Sequence, residues 1–178
     1  ADDLGYGDLG IHGSIQIPTP NIDQIAKDGV ICTNGYASSA VCAPSRAGLL
    51  TGKHQAEFGF NDNLTHSQIG FNPDYLGLPI TEQTLANKLK SLGYVTGIIG
   101  KWHLGTAPQF NPVKRGFDEF WGFLGGGHDY FTAKQYGTDM ESPIQCNYRA
   151  TATITYLTND IANESIDFIN RHKQKPFF

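Results

Sequence analysis

The sequence predicts an α/β fold whose sheet is mostly parallel and covered by helices on both faces. Helical patterns alternate with short β-favouring runs along the 178 residues. Residues 93–100 form a continuous apolar run punctuated by glycine, the pattern of a strand buried on both sides. No uninterrupted apolar stretch reaches the roughly 18 residues needed to span a membrane, and with 39% hydrophobic residues the chain can bury a core of ordinary size.

The first helix is expected over residues 19–29. Thr19 caps it, Pro20 takes the first helical position, Ile22, Ile25 and Ala26 recur at helical spacing, and Gly29 ends it. Residues 30–37 read as a strand that leads into the loop before Cys42. A second amphipathic helix begins at a capping Thr81, lines up Leu85, Leu89 and Leu92 on one face and stops at Gly93, feeding the strand 93–100. A third runs over residues 157–172, with Ile161, Ala162, Ser165, Phe168 and Ile169 as its inner stripe. Lys175, Pro176, Phe177 and Phe178 then read as the start of another buried strand.

Between residues 105 and 149 the chain is rich in glycine, proline, aromatic and polar residues without a clear period, and reads as a packed loop near a site. Phe117, Phe120, Trp121 and Phe123 are core candidates there. His128, following Gly125, Gly126 and Gly127, stands where a polar side chain can approach a ligand closely. No internal repeat or low-complexity tract is present.

Charge and cysteine content narrow the partners. Lys and Arg number 13 against 17 Asp and Glu, for a net charge of −4 and no basic stripe, which argues against nucleic acid. Of Cys32, Cys42 and Cys146, none has the close spacing of a zinc site. Cys32, in the apolar run Gly29-Val30-Ile31-Cys32, reads as a buried free thiol, with pairing to Cys146 as the alternative.

Three motifs carry chemistry. Cys42-Ala43-Pro44-Ser45-Arg46 joins a potential nucleophile to the start of a helix, with Pro44 expected at the first helical position and Cys42 just ahead of it. Unpaired N–H groups and the positive helix end favour an anion there, and Arg46 adds a forked, permanently charged donor. A structural cysteine before an ordinary helix is the plain alternative. Lys101-Trp102-His103 follows the strand 93–100 at its C-terminal end, where ligands bind in open α/β sheets. In extended backbone Lys101 and His103 share one side and Trp102 takes the other. Asp2-Asp3-Leu4-Gly5 offers two adjacent carboxylates, hard oxygen ligands suited to a divalent cation. Asp8 reads as a turn or capping residue.

The run Cys42, Pro44, Ser45, Arg46, Leu49, Leu50, Thr51 and Gly52 resembles the first signature of the type I sulfatases, arylsulfatase and carbohydrate sulfatase branch. Residues 100–105 resemble the second, in the expected order. The resemblance implies a three-layer, alkaline-phosphatase-like αβα sandwich, of which residues 1–178 would be an N-terminal part, truncated at both ends and inactive alone. It implies conversion of Cys42 to Cα-formylglycine by a formylglycine-generating or anaerobic sulfatase-maturing enzyme. A sulfated gem-diol expels sulfate by collapsing to the aldehyde, whereas a serine sulfate would persist.

In such an enzyme Lys101 bridges the diol and the sulfate, and His103 hydrogen-bonds the diol. Asp2, Asp3 and residue 42 ligate a calcium ion, and the region of His128 and Asp129 helps bind the sulfate or its sugar. Some members carry a serine where Gly127 stands. The expected substrate is a sulfated small molecule or glycan, and the expected location is periplasmic or secreted. Two other readings stay open: a phosphate or phosphonate monoester hydrolase of the same superfamily, and a non-catalytic binding relative.

Overall fold

The computed structural model describes residues 3–64, 76–134, 142–151 and 153–178. The chain divides into two compact units, Ala1–Ala37 and Ser38–Phe178.

In the first unit, helix α1 spans Pro20–Asp28 and is bracketed by Thr19 and Gly29, as expected. Thr19 does not cap it through its side chain. Its hydroxyl accepts the Gly10 N–H at 2.8 Å and donates to Asp23 Oδ1 at 3.0 Å, tying the preceding loop to the helix. Asp8 does act as a turn cap, accepting the Gly5 N–H at 2.7 Å. The strand expected over 30–37 does not form: Val30 is 88% exposed, and residues 32–35 make a turn closed by Gly35 N–H to Cys32 O. A strand exists only where a neighbour pairs its backbone, and among the described residues this segment has none. Cys32 is accordingly an exposed free thiol, and Cys146 is exposed and free as well.

The second unit is built on a mixed sheet of order β1-β2-β3-β4: Gly97–Lys101, Glu119–Phe123, Gln145–Cys146 and Arg149–Ala150. Strands β1 and β2 are parallel, with Ile98 opposite Phe120 and Ile99 opposite Trp121, and the two later pairings are antiparallel. The C-terminal segment extends the parallel part, since Val95 bridges Phe177 and Phe178 N–H reaches Val95 O at 2.8 Å. Phe177 and Phe178 remain 37% and 41% exposed, so this segment pairs as expected without being buried.

Strand β2 lies inside the stretch that reads as a loop. Its side chains are buried on both faces, so no polar/apolar alternation marks it. Gly122 has φ of 150°, and a Cβ there would run into Gly100 O across the ladder, so only glycine permits this approach of β1 and β2.

Helices cover the two faces with different partners. Helix α2, Cys42–Thr51, and α3, Leu85–Ser91, contribute Ala43, Ala47 and Ala86 to a cluster with Ile98, Trp102, Leu104, Phe117, Phe120 and Leu124. The opposite face gives Ile99, Trp121 and Phe123 to a second cluster with Ile144 and with Leu157 and Ile161 of α4, Leu157–His172. This is the layered α/β arrangement that the sequence predicts, and Phe117, Phe120, Trp121 and Phe123 are core as expected.

Two details of the helices differ. The cap of α3 is Thr84, not Thr81, because Asn87 sits at the third helical position and returns the bond: Thr84 Oγ1 accepts Asn87 N–H at 3.2 Å and Asn87 Oδ1 accepts Thr84 N–H at 2.9 Å. Ala86 is its buried residue, while Leu85 and Leu92 are 42% and 72% exposed. Helix α4 has the expected bounds but a rotated inner face. Leu157, Ile161, Glu164, Ser165, Phe168 and His172 turn inward, whereas Ala162 and Ile169 are exposed.

That rotation brings the end of α4 onto β2. Arg171 Nη2 donates to Glu119 Oε2 at 2.5 Å, and His172 Nε2 lies 2.6 Å from Glu119 Oε1. Burial pushes the Glu119 carboxyl up, but the bonds from His172 and Arg171 and their charge outweigh it and leave it below the ordinary 4.5. A carboxyl held down in the folded state stabilises above its unfolded pKa, and that contribution is lost as pH falls through the folded value. Glu119→Gln is expected to cost about 0.5–1 kcal/mol near neutral pH. In urea melts the gap between parent and variant should close as the pH is lowered below 4.5. A gap that stays constant through acid pH would contradict this anchoring.

Candidate active site

Helix α2 begins at Cys42, two residues earlier than Pro44 at the first position would allow. Pro44 is the third helical residue, still within the first turn, where no N–H has an intrahelical acceptor and proline loses nothing. Ser45 N–H closes the first turn on Val41 O at 3.3 Å. Cys42 is therefore part of the first turn itself, half-buried, at the positive end of the helix dipole. Gly52, with φ of 67°, ends the helix in the left-handed conformation and returns its N–H to Gly48 O.

Arg46 lies one turn further along and reaches the sheet. Its Nη1 donates to Lys101 O at 2.7 Å, so the arginine of the first motif is tied to the lysine of the second. Lys101 is the last residue of β1. Beyond it the ladder continues for two bonds, Trp102 N–H to Phe123 O and His103 N–H to Leu124 O, both 3.0 Å. Trp102 is fully buried, and its Nε1 donates to Phe110 O at 2.9 Å.

The strict alternation expected of Lys101, Trp102 and His103 fails at the third residue. His103 adopts φ of 60°, the left-handed region, and is buried at 4% exposure. A non-glycine residue there costs about 1–2 kcal/mol. Such strain persists only where packing over-determines it, and it concentrates at functional sites.

The loop after β2 returns to the same end of the sheet. The His128 ring packs on Phe123, centroids 5.3 Å apart, and Phe123 is the register partner of Lys101. His128 Nδ1 lies 2.8 Å from Asp129 O. A carbonyl only accepts, so Nδ1 carries the proton, and Nε2 of the neutral ring is left as an acceptor. The Asp129 carboxylate is engaged locally: Oδ1 accepts the Phe131 and Thr132 N–H groups at 2.7 and 3.0 Å, closing the turn.

Arg46, Lys101, His103 and His128 thus gather at the C-terminal ends of two parallel strands. Of the expected metal ligands, Asp2 lies outside the described residues and Asp3 is exposed with φ of 54°. Carboxylate oxygens suit calcium, but among the described residues no three His, Cys, Asp or Glu side chains form a metal-holding group. Calcium takes about six to eight oxygens, so Asp3, the one described carboxylate of the pair, supplies only a part of such a shell.

One residue at the site has no signal in the sequence. Asn63 Oδ1 accepts the Ala43 N–H at 3.0 Å and lies 3.5 Å from Cys42 Sγ. It stands in a loop 21 residues away, in an Asn61-Asp62-Asn63 run that reads as ordinary turn chemistry.

Residues 1–178 match the protein-family profile described as Sulfatase. The chain belongs to the sulfatase family. Human N-acetylgalactosamine-6-sulfatase is 46% identical over 99% of the chain, and human arylsulfatase G is 43% identical over 68% of it. The chain spans about a third of the former's length, 36%. Among solved structures, that of Ps i-CgsB superposes with a TM-score of 0.89 at 37% identity, over 99% of this chain and 42% of its own. A protein solved in complex with its substrate D-glucosamine-2-N,6-O-disulfate superposes with a TM-score of 0.75 at 33% identity, over 99% of this chain and 31% of its own. The α/β layering is thus that of the sulfatase fold, alkaline-phosphatase-like, seen here in part. Among the described residues no helix is long and apolar enough to cross a membrane.

Proposed function

We propose that this chain carries the nucleophile-bearing part of a sulfuric ester hydrolase that removes sulfate from a sulfated carbohydrate or an aryl sulfate. The observation that supports this most is the 2.7 Å bond from Arg46 to Lys101 O, which joins the two sulfatase signatures at one end of the sheet. Two of the relatives, an N-acetylgalactosamine-6-sulfatase and a protein with a disulfated glucosamine as substrate, favour a sulfated sugar.

In this reading Cys42 is converted to formylglycine by a formylglycine-generating or anaerobic sulfatase-maturing enzyme, and the hydrated side chain supplies a hydroxyl nucleophile on a carbon that can later release sulfate. Arg46, anchored on the sheet, brings a permanent positive charge to the sulfate oxygens. Lys101 adds a second cation between the sulfate and position 42, and His103 exchanges a hydroxyl proton there. The loop of His128 and Asp129 helps bind the sulfate or its sugar: an acceptor Nε2 suits a sugar hydroxyl, while Asp129 holds the loop that presents it. Asp2 and Asp3 donate carboxylate oxygens to the calcium ion that sulfatases generally use. Export to the periplasm or medium belongs to the same proposal.

Parallel assays of the full-length protein that carries this chain, on matched sulfate and phosphate monoesters, test this directly. The sulfate ester should be the faster substrate. Preference for the phosphate ester would replace the proposal with a phosphate hydrolase of the same superfamily, and inactivity toward both, with residue 42 left as a thiol, would leave a binding protein.

A further inference from the structure

Asn63 belongs to neither signature, yet its side chain touches residue 42. The Ala43 N–H is a first-turn donor that no carbonyl of α2 can accept, and Val41, the residue ahead of the helix, has no polar side chain to take it. Asn63 Oδ1 fills that role from a distant loop, at 3.0 Å. A backbone N–H only donates, so the atom facing it is the carboxamide oxygen, and its orientation is locked. The oxygen has a second lone pair, and Cys42 Sγ lies 3.5 Å from it, in range of an S–H donor.

We infer that Asn63 is a positioning residue for the nucleophile at position 42, an inference that rests on the hydrolase reading above. Oδ1, fixed by the Ala43 N–H, accepts the proton carried by the side chain of residue 42 and so selects one rotamer for it. Where oxygen replaces sulfur at that position, Asn63 accepts an O–H, a stronger bond than S–H, and holds that hydroxyl and its proton in place. A carboxamide does so without charge. A carboxylate at the same point would accept both bonds equally well but would repel the sulfate dianion or monoanion as it approached.

The test uses the full-length protein that carries this chain, co-expressed with a formylglycine-generating enzyme, with Asn63→Ala and Asn63→Asp as variants. The fraction of residue 42 converted is read by mass spectrometry, and kcat is expressed per converted site on a sulfate monoester. Asn63→Ala should lower that kcat roughly 10- to 100-fold with little change in KM, the loss expected when a reacting group is no longer held in register. Asn63→Asp, which keeps both acceptor bonds, should stay within about threefold of the parent in kcat and raise KM through charge repulsion. Unchanged kcat per converted site in Asn63→Ala, with a lowered melting temperature, would make Asn63 a helix cap only and overturn the inference.

A second readout needs no activity. In protein made without the maturing enzyme, the Cys42 sulfur of Asn63→Ala, no longer held against the carboxamide, should alkylate several-fold faster than in the parent, followed by fragment ions that separate it from Cys32 on the same tryptic peptide, with Cys146 on another. An unchanged rate overturns the inference as well. If the parent, fully converted at residue 42, fails to cleave sulfate esters, the hydrolase reading falls, and the alkylation rates still decide whether Asn63 holds residue 42.

Discussion

Cys42→Ala in the full-length protein that carries this chain is expected to lower kcat toward a sulfate ester by roughly 10⁵-fold or more, the scale on which removing a covalent nucleophile acts. The fold should be nearly untouched. Cys42 is half-buried in the first turn of α2, and alanine is the better helix former, so the melting transition should move by less than about 1 kcal/mol in equivalent stability. The contrast between the two readouts is what identifies a nucleophile. Activity within about tenfold of the parent would remove residue 42 from the chemistry, because binding and charge stabilisation alone do not sustain such rates.

The second large effect is on stability. Trp102, within the second sulfatase signature, is fully buried, packs edge-on against Phe117 with ring centroids 6.0 Å apart, and donates Nε1–H to Phe110 O at 2.9 Å. Trp102→Ala should cost about 3–5 kcal/mol for the cavity alone. It also leaves the Phe110 carbonyl short of a donor, at about 1–3 kcal/mol. Against a total stability on the order of 5–15 kcal/mol, that is enough to unfold much of the population. Trp102→Phe, which keeps most of the packing and loses the N–H, should show an intermediate shift in urea midpoint. Equal midpoints for the parent and Trp102→Ala would mean that the tryptophan does not brace the turn that presents Lys101 and His103.

What could be read from the sequence follows how local each cause is. Helix α4 was bounded correctly by periodicity and flanking residues, which act within a few positions. Its inner face is not, because contact with β1 and β2, and for His172 the bond to Glu119, turns that side of the helix inward in place of Ala162 and Ile169. Strand β2 is hidden in the sequence for a related reason: a strand buried on both faces shows no alternation, and Gly122 has the look of a loop residue until Gly100 is placed against it. The stretch 30–37 erred the other way, since β-favouring residues cannot form a strand without a neighbour to pair with.

The site divides along the same line. Cys42, Arg46, Lys101 and His103 are legible because each signature is contiguous. The start of α2 at Cys42 was not, since proline is tolerated anywhere in the first turn and Pro44 gives no unique register. The bond from Arg46 to Lys101 O spans 55 residues, and the contacts of Asn63 span 20 and 21. No spacing rule reaches that far. The left-handed backbone at His103 is likewise a product of packing around Trp102 and Leu124, not of any preference of histidine for that region.

The most direct measurement is the mass of the tryptic peptide covering residues 28–46, taken from protein made in its own cells. Fragment ions should place a loss of about 18 Da, the difference between cysteine and formylglycine, on residue 42 and leave Cys32 a thiol. An intact, alkylatable thiol at residue 42 in protein that nonetheless hydrolyses sulfate esters would contradict the account.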